Sequence, residues 1–230
     1  MTRIILKGES YMVLREKFEG ELQELKQKVI DMERFASAAL ETSYKALLTK
    51  DVELALSVIE DDKKLDKLEE ELDELAILMI AKQQPVASDL RRIVSSIKIG
   101  SEIERVGDYA KNVAKTAIRL SKEERSFIND AVKEMHATCI EMLNMFNESF
   151  VKENVLLSKE LAELDDRVDH LYGQEIRKIL EAKQPESTTV NENSQLLFIV
   201  RHYERIGDHI TNMAEETLYM IKGRHYHLNE

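Results

Sequence analysis

A nine-residue signature is written twice in this chain of 230 residues, first as Glu104-Arg105-Val106-Gly107-Asp108-Tyr109-Ala110-Lys111-Asn112. One hundred residues on it returns as Glu204-Arg205-Ile206-Gly207-Asp208-His209-Ile210-Thr211-Asn212, with Glu, Arg, Gly, Asp and Asn in register. An internal repeat of this kind constrains the fold before any other feature does. Each copy sets two carboxylates four residues apart, and on a helix such residues share a face and repel by roughly 0.2–0.5 kcal/mol. Each copy also holds a glycine, which costs about 1 kcal/mol relative to alanine inside a helix. Both costs are met twice, which points to a bound cation and a close helix approach.

The rest of the chain supplies the helices that such a repeat needs. Phe18, Leu22, Leu25, Val29, Met32, Ala36 and Ala39 recur at steps of four and three, the seam of a packed helix expected from about Leu14 to Thr49. Asp51 is a suitable N-cap for a second helix with seam Leu65, Leu68, Leu72, Leu75 and Met79. Beside that seam runs an acidic stripe, Asp62, Asp66, Glu69 and Asp73. Gln84-Pro85 ends the helix, because proline restricts the residue before it and cannot continue the pattern. A third helix, capped by Ser88 or Asp89, has seam Ile99, Ile103, Val106, Ala110, Val113, Ala117 and Leu120. Helical steps place Glu104 and Asp108 away from that seam, on the outer face. The pattern then restarts. Ser121 and Glu124 read as a capping box for a fourth helix. A fifth follows with seam Leu157, Leu161, Leu164, Val168 and Leu171, and a sixth from about Val190 to Lys222 with Ile199, Tyr203, Ile206, Ile210 and Met213. Gln184-Pro185 echoes Gln84-Pro85, and Glu186 to Asn193 reads as a polar connector.

The expected fold class is therefore all-α, two repeated antiparallel three-helix bundles with pseudo-two-fold symmetry. The divisions are a loosely ordered leader over 1–11, a first bundle over 12–121, a second over 122–223 and a tail over 224–230. A short link near Leu120 to Glu123 suggests that the fourth helix nearly continues the third, giving a rigid rod.

Composition excludes some functions. A net charge of −11 argues against a nucleic-acid partner, which needs a basic face. The longest apolar run, Ala76 to Ala81, has six residues, far from the ~18 of a membrane span. A lone Cys139 offers no internal disulfide, and the N-terminal apolar run is too short for a signal peptide. A cytoplasmic protein, peripheral to any membrane, is expected.

The doubled Glu-Arg-[Val/Ile]-Gly-Asp followed by Asn, each copy on the last helix of a three-helix repeat with Asp-x-x-x-Asp upstream, resembles the PhoU family of bacterial phosphate-signalling regulators. The resemblance spans residues from about 15 to 222. It implies a negative regulator of the phosphate-starvation response that links the ATPase subunit of a phosphate ABC transporter to a sensor histidine kinase, as a homodimer. It also implies divalent or transition-metal ions, iron among them, held by acidic residues. The implied ligands are Asp62, Asp66, Glu69, Glu104 and Asp108 in the first repeat and Asp165, Asp169, Glu204 and Asp208 in the second. In that correspondence Asp165 and Asp169 answer to Asp62 and Asp66, and Tyr172 answers to Glu69, so the second site is the poorer in carboxylates.

The bland reading of such stripes is a solvated helix face. Carboxylate-only ligation suits Mg, Ca or Mn. Arg105 and Arg205 are expected to pair with neighbouring acids, Gly107 and Gly207 to permit close packing, and Cys139 to be a core residue. His170 and His209 are left out of the site as exposed helix histidines. The sequence holds no Gly-rich phosphate loop and no Glu-x-x-His motif, so catalysis is not expected. A metal-dependent enzyme and a metal-free helical adaptor stand as the alternatives.

Overall fold

Apolar residues at three- and four-residue steps bury one stripe of a helix, and each periodic stretch of this chain does so. The computed structural model describes the backbone of residues 2–122, 128–181 and 187–228, with the side chains of 15–122, 128–181 and 193–228. Its elements are α1 (Thr2–Thr49), α2 (Val52–Gln83), α3 (Ala87–Leu120), α4 (Asp130–Lys152), α5 (Val155–Glu181) and α6 (Ser187–Lys222), with no strand among the described residues.

The seams of α3 and α6 are buried along their whole expected length, from Ile99 to Leu120 and from Ile199 to Met213. In α1 the stripe takes Leu40 in place of the half-buried Ala39 and runs on to Leu47. Cys139 lies in the core of α4. Asp51 caps α2 by accepting from the Leu54 amide at 3.0 Å. Gln84, in the left-handed region at φ 45°, closes α2 ahead of Pro85. Gly223, at φ +69°, stops α6 in the conformation that glycine takes without strain.

Several boundaries differ from those expected. The leader over 1–11 is not a separate segment, since α1 is helical from Thr2 and no proline interrupts it. Ser121 is the C-cap of α3, and α4 begins at Asp130. The α4 cap is Asn129, which accepts from the Val132 amide at 3.0 Å. Glu123 and Glu124 lie outside the described residues, as does Gln184-Pro185. The polar connector is largely helix, because α6 begins at Ser187. Val86, with no side-chain bond, precedes α3, while Asp89 turns to Arg15 of α1 at 2.7 Å. The tail folds back on α6. His225 stacks on Tyr219, and the Leu228 amide donates to Glu215.

Within the first bundle α1 and α2 are antiparallel, with Gln83 bonded to Glu21 at one end and Lys28 to Glu71 further along. Likewise α2 and α3 are antiparallel, with Gly100 against Leu72 and Gly107 against Leu65. The helices α4, α5 and α6 pack together as the second bundle. The bundles do not continue one another as a rod. They lie side by side, α3 along α6 and α1 against α4. Lys98 pairs with Glu216, Glu102 with Asn212, and Arg91 lies against Gly223, so α3 and α6 run antiparallel. On the other flank Tyr44 stacks on His136, with ring centroids 3.8 Å apart. The pseudo-two-fold shows in side chains too. Glu102 bonds His209 Nδ1 at 2.6 Å, and the residues one hundred places away, His202 and Tyr109, also meet, with centroids 5.7 Å apart.

Candidate metal centre

Both acidic signatures lie in grooves between antiparallel helices. In the first, Glu104 and Asp108 of α3 face α2. They are half-buried there, with side-chain exposures of 18% and 32%, and not on a free outer face. Burial first, then the negative charges of Asp108, Glu69 and Asp66, push the Glu104 carboxyl up to about 7, with Arg105 opposing. Glu69 is raised by burial and by Asp73 and Asp66, although the Ser101 hydroxyl bonds it. Residues 66, 69, 104 and 108 thus share one field, which the four-residue spacing on two antiparallel helices makes possible. Asp62 lies one step further along the groove. The Lys111 ammonium bonds Asp62 of α2 and also Asp108 of α3, the latter at 2.5 Å. Burial works against its charge, but the bonds to Asp108 and Asp62 hold its pKa above the ordinary lysine range.

In the second groove Asp169 of α5 meets Glu204 and Asp208 of α6. One carboxylate oxygen from each lies within 4.8 Å of the others, a separation that a single cation can span. Burial and then Asp208 raise both Asp169 and Glu204, the physical mark of acids gathered away from bulk water. Arg205 offsets part of this, with its Nη1 2.9 Å from Asp208 and its Nε 3.2 Å from Glu204. Arg105 stands further from its acids, 3.7 Å from Glu104 and 4.0 Å from Asp108. Both arginines therefore neutralise neighbouring acids, as expected of them.

The glycines set the register. A Cβ on Gly107 would fall on Leu65 Cδ2, and one on Gly207 would fall on Asp165 Oδ1. Leu65 and Asp165 are thus equivalent, one hundred residues apart. Asp165 is 2% exposed, packed at the α5–α6 contact, and is not among the three gathered acids. By the same register Asp169 answers to Glu69, Asp166 to Asp66, Tyr172 to Leu72 and Ala162 to Asp62. The correspondence expected from sequence is therefore displaced by three residues on α5. The second groove is not the poorer one in geometry, since the three-acid group found among the described residues is there. Asp62 has no acidic counterpart.

Two residues, Lys111 and Asp166, went unrecognised in the sequence, and a third, His209, was expected to be exposed. Lys111 is inside the signature, and its i+3 spacing from Asp108 was a legible signal. Asp166 would have followed from the Pro85–Pro185 spacing. His209 is no exposed histidine. It is half-buried and ties α6 to Glu102 of α3. His170 does lie exposed, bonded to Gln174 at 2.8 Å.

The family model described as PhoU domain matches residues 29–117 and 132–217, one match around each acidic groove. The chain belongs to the PhoU family. A PhoU homologue of Clostridium acetobutylicum, named a phosphate-specific transport system accessory protein, is 34% identical over 220 residues, covering 94% of this chain and 99% of the relative. One of the same name from Aquifex aeolicus is 38% identical over 215 residues, covering 91% and 96%. The crystal structure of PhoU from Pseudomonas aeruginosa superposes with a TM-score of 0.85 at 29% identity, over 90% of this chain and all of that one. Membership of the PhoU family ties this chain to regulation of phosphate transport. Among the described residues no helix is long and apolar enough to cross a membrane.

Proposed function

We propose that this PhoU-family chain is a cytoplasmic negative regulator of phosphate uptake and of the phosphate-starvation response. It works by binding and not by catalysis, at the membrane-associated phosphate transporter, as a homodimer that links the transporter's ATPase subunit to a sensor histidine kinase. The relatives' names support the transport role. The observation that carries the cation part is the gathering of Asp169, which is exposed, with the half-buried Glu204 and Asp208 between α5 and α6 of such a chain. Oxygen donors alone suit a hard cation such as Mn2+, with iron admissible. The first groove would use Asp66, Glu69, Glu104 and Asp108. A bound ion would neutralise the mutual repulsion of the acids and draw the two helices of each groove together. The residues' own part is to hold the charge at fixed spacing on rigid helices.

Deleting the gene should switch on phosphate-starvation genes in phosphate-rich medium, and the intact gene should restore repression. A copy carrying Asp169→Asn and Asp208→Asn should restore it less well. Unchanged expression after deletion would count against the regulatory role. Full rescue by the doubly substituted copy would leave that role standing and remove the cation from it.

A further inference from the structure

The two grooves differ in one feature that the repeat would not lead one to expect. In the first, Lys111 reaches across from α3 and bonds Asp62 of α2 while holding Asp108 of its own helix. In the second, the positions equivalent to Asp62 and Lys111 are Ala162 and Thr211, and Thr211 is fully buried. The acid and the lysine are lost together, as expected if they form one unit. Lys111 is also the cationic group in contact with the acids of both helices, whereas Arg105 reaches Glu104 and Asp108 of α3 alone.

We propose that the Lys111 ammonium is a tethered cation of the first groove. The protein then takes an external cation first at Asp169, Glu204 and Asp208, and at the first groove only when Lys111 is displaced. This rests on the cation-binding reading above.

The geometry supports an order of filling. Asp108 is engaged by Lys111 at 2.5 Å, and the same ammonium holds Asp62 across the groove. No three-acid group with oxygens inside 4.8 Å forms in the first groove among the described residues, while its equivalent acids form one in the second. An ammonium is a point charge on a flexible stem, so it can leave without moving a helix. An external divalent ion entering the first groove must break the charge-assisted hydrogen bonds by which Lys111 joins the two helices, whereas in the second groove it meets the bond of Arg205 to Asp208 within α6, at 2.9 Å. Arg205 of the second groove pairs with Glu204 and Asp208 of its own helix and does not bridge to α5 as Lys111 bridges to α2.

The test is a Mn2+ titration of the full chain without a tag, with free Mn2+ counted by electron paramagnetic resonance. The proteins are wild type, Asp208→Asn, Lys111→Thr and Lys111→Gln. Wild type should show one strong class of site, which Asp208→Asn abolishes. Lys111→Thr should tighten the weak class by about tenfold, the value of one charge-assisted hydrogen bond. Lys111→Gln, which keeps length without charge, should do the same to a lesser degree. A strong class that survives Asp208→Asn at wild-type affinity would overturn the order of filling. So would weak sites unmoved by both Lys111 variants. If Lys111→Thr does not fold, the Asp208→Asn and Lys111→Gln arms decide. Absence of Mn2+ binding in every variant would overturn the cation reading itself and this inference with it.

Discussion

Replacing Glu104 by glutamine isolates the cost of gathering acids in the first groove. In the metal-free protein the Glu104 carboxyl sits at about 7 against an ordinary 4.5, chiefly because it is buried and next because Asp108 is near. A carboxyl raised in the folded state binds its proton more tightly there than in the unfolded chain. The penalty is therefore absent below about 4.5, grows through neutrality and is complete above 7. The full gap corresponds to at most about 3 kcal/mol. Solvent reaches part of the groove, so about 1–2 kcal/mol is the reasonable expectation. Glutamine has the same shape and never ionises. In EDTA at pH 8, Glu104→Gln should raise stability by that amount in urea unfolding, read as a higher midpoint at unchanged slope. At pH 5 the gain should shrink to a fraction of its pH 8 value. Saturating Mn2+ should reverse the order, because wild type has one more ionised ligand to offer. An equal gain at pH 5 and pH 8, or no gain at pH 8, would refute this account of the groove.

The glycines give a contrast on single helices. Gly20→Ala meets nothing within 4 Å and should stabilise by up to about 1 kcal/mol, whereas Gly207→Ala places its Cβ on the buried Asp165 and should destabilise by about 1–3 kcal/mol, both read by thermal melting. Asn129 caps α4 and also donates to Glu175, which is 1% exposed, so Asn129→Ala should cost about 1–3 kcal/mol in urea unfolding.

The fold was largely legible because α3 and α6 carry unbroken apolar seams, and a seam at helical steps is the strongest signal a sequence gives. The α5 register was not. There the buried positions include Ser158, Asp165 and Glu175, where α2 buries Val58 and Leu65 and half-buries Leu75. Matching apolar residues alone slides α5 by nearly a turn, and with it the assignment of Asp165 as a ligand. The start of α4 was misread because Ser121 and Glu124 have the spacing of a capping box, while the cap that forms, Asn129, comes eight residues later. The side-by-side packing of the bundles was hidden as well. It depends on cross-bundle pairs such as Glu102 with His209, which leave no periodic trace.

The most direct test of the central claim is metal content. The untagged protein, purified without chelator, is analysed for all elements beside Asp208→Asn and Asp108→Asn prepared identically. The account predicts stoichiometric metal in the wild type, its loss in Asp208→Asn and little change in Asp108→Asn. Metal retained in Asp208→Asn at the wild-type level would contradict it.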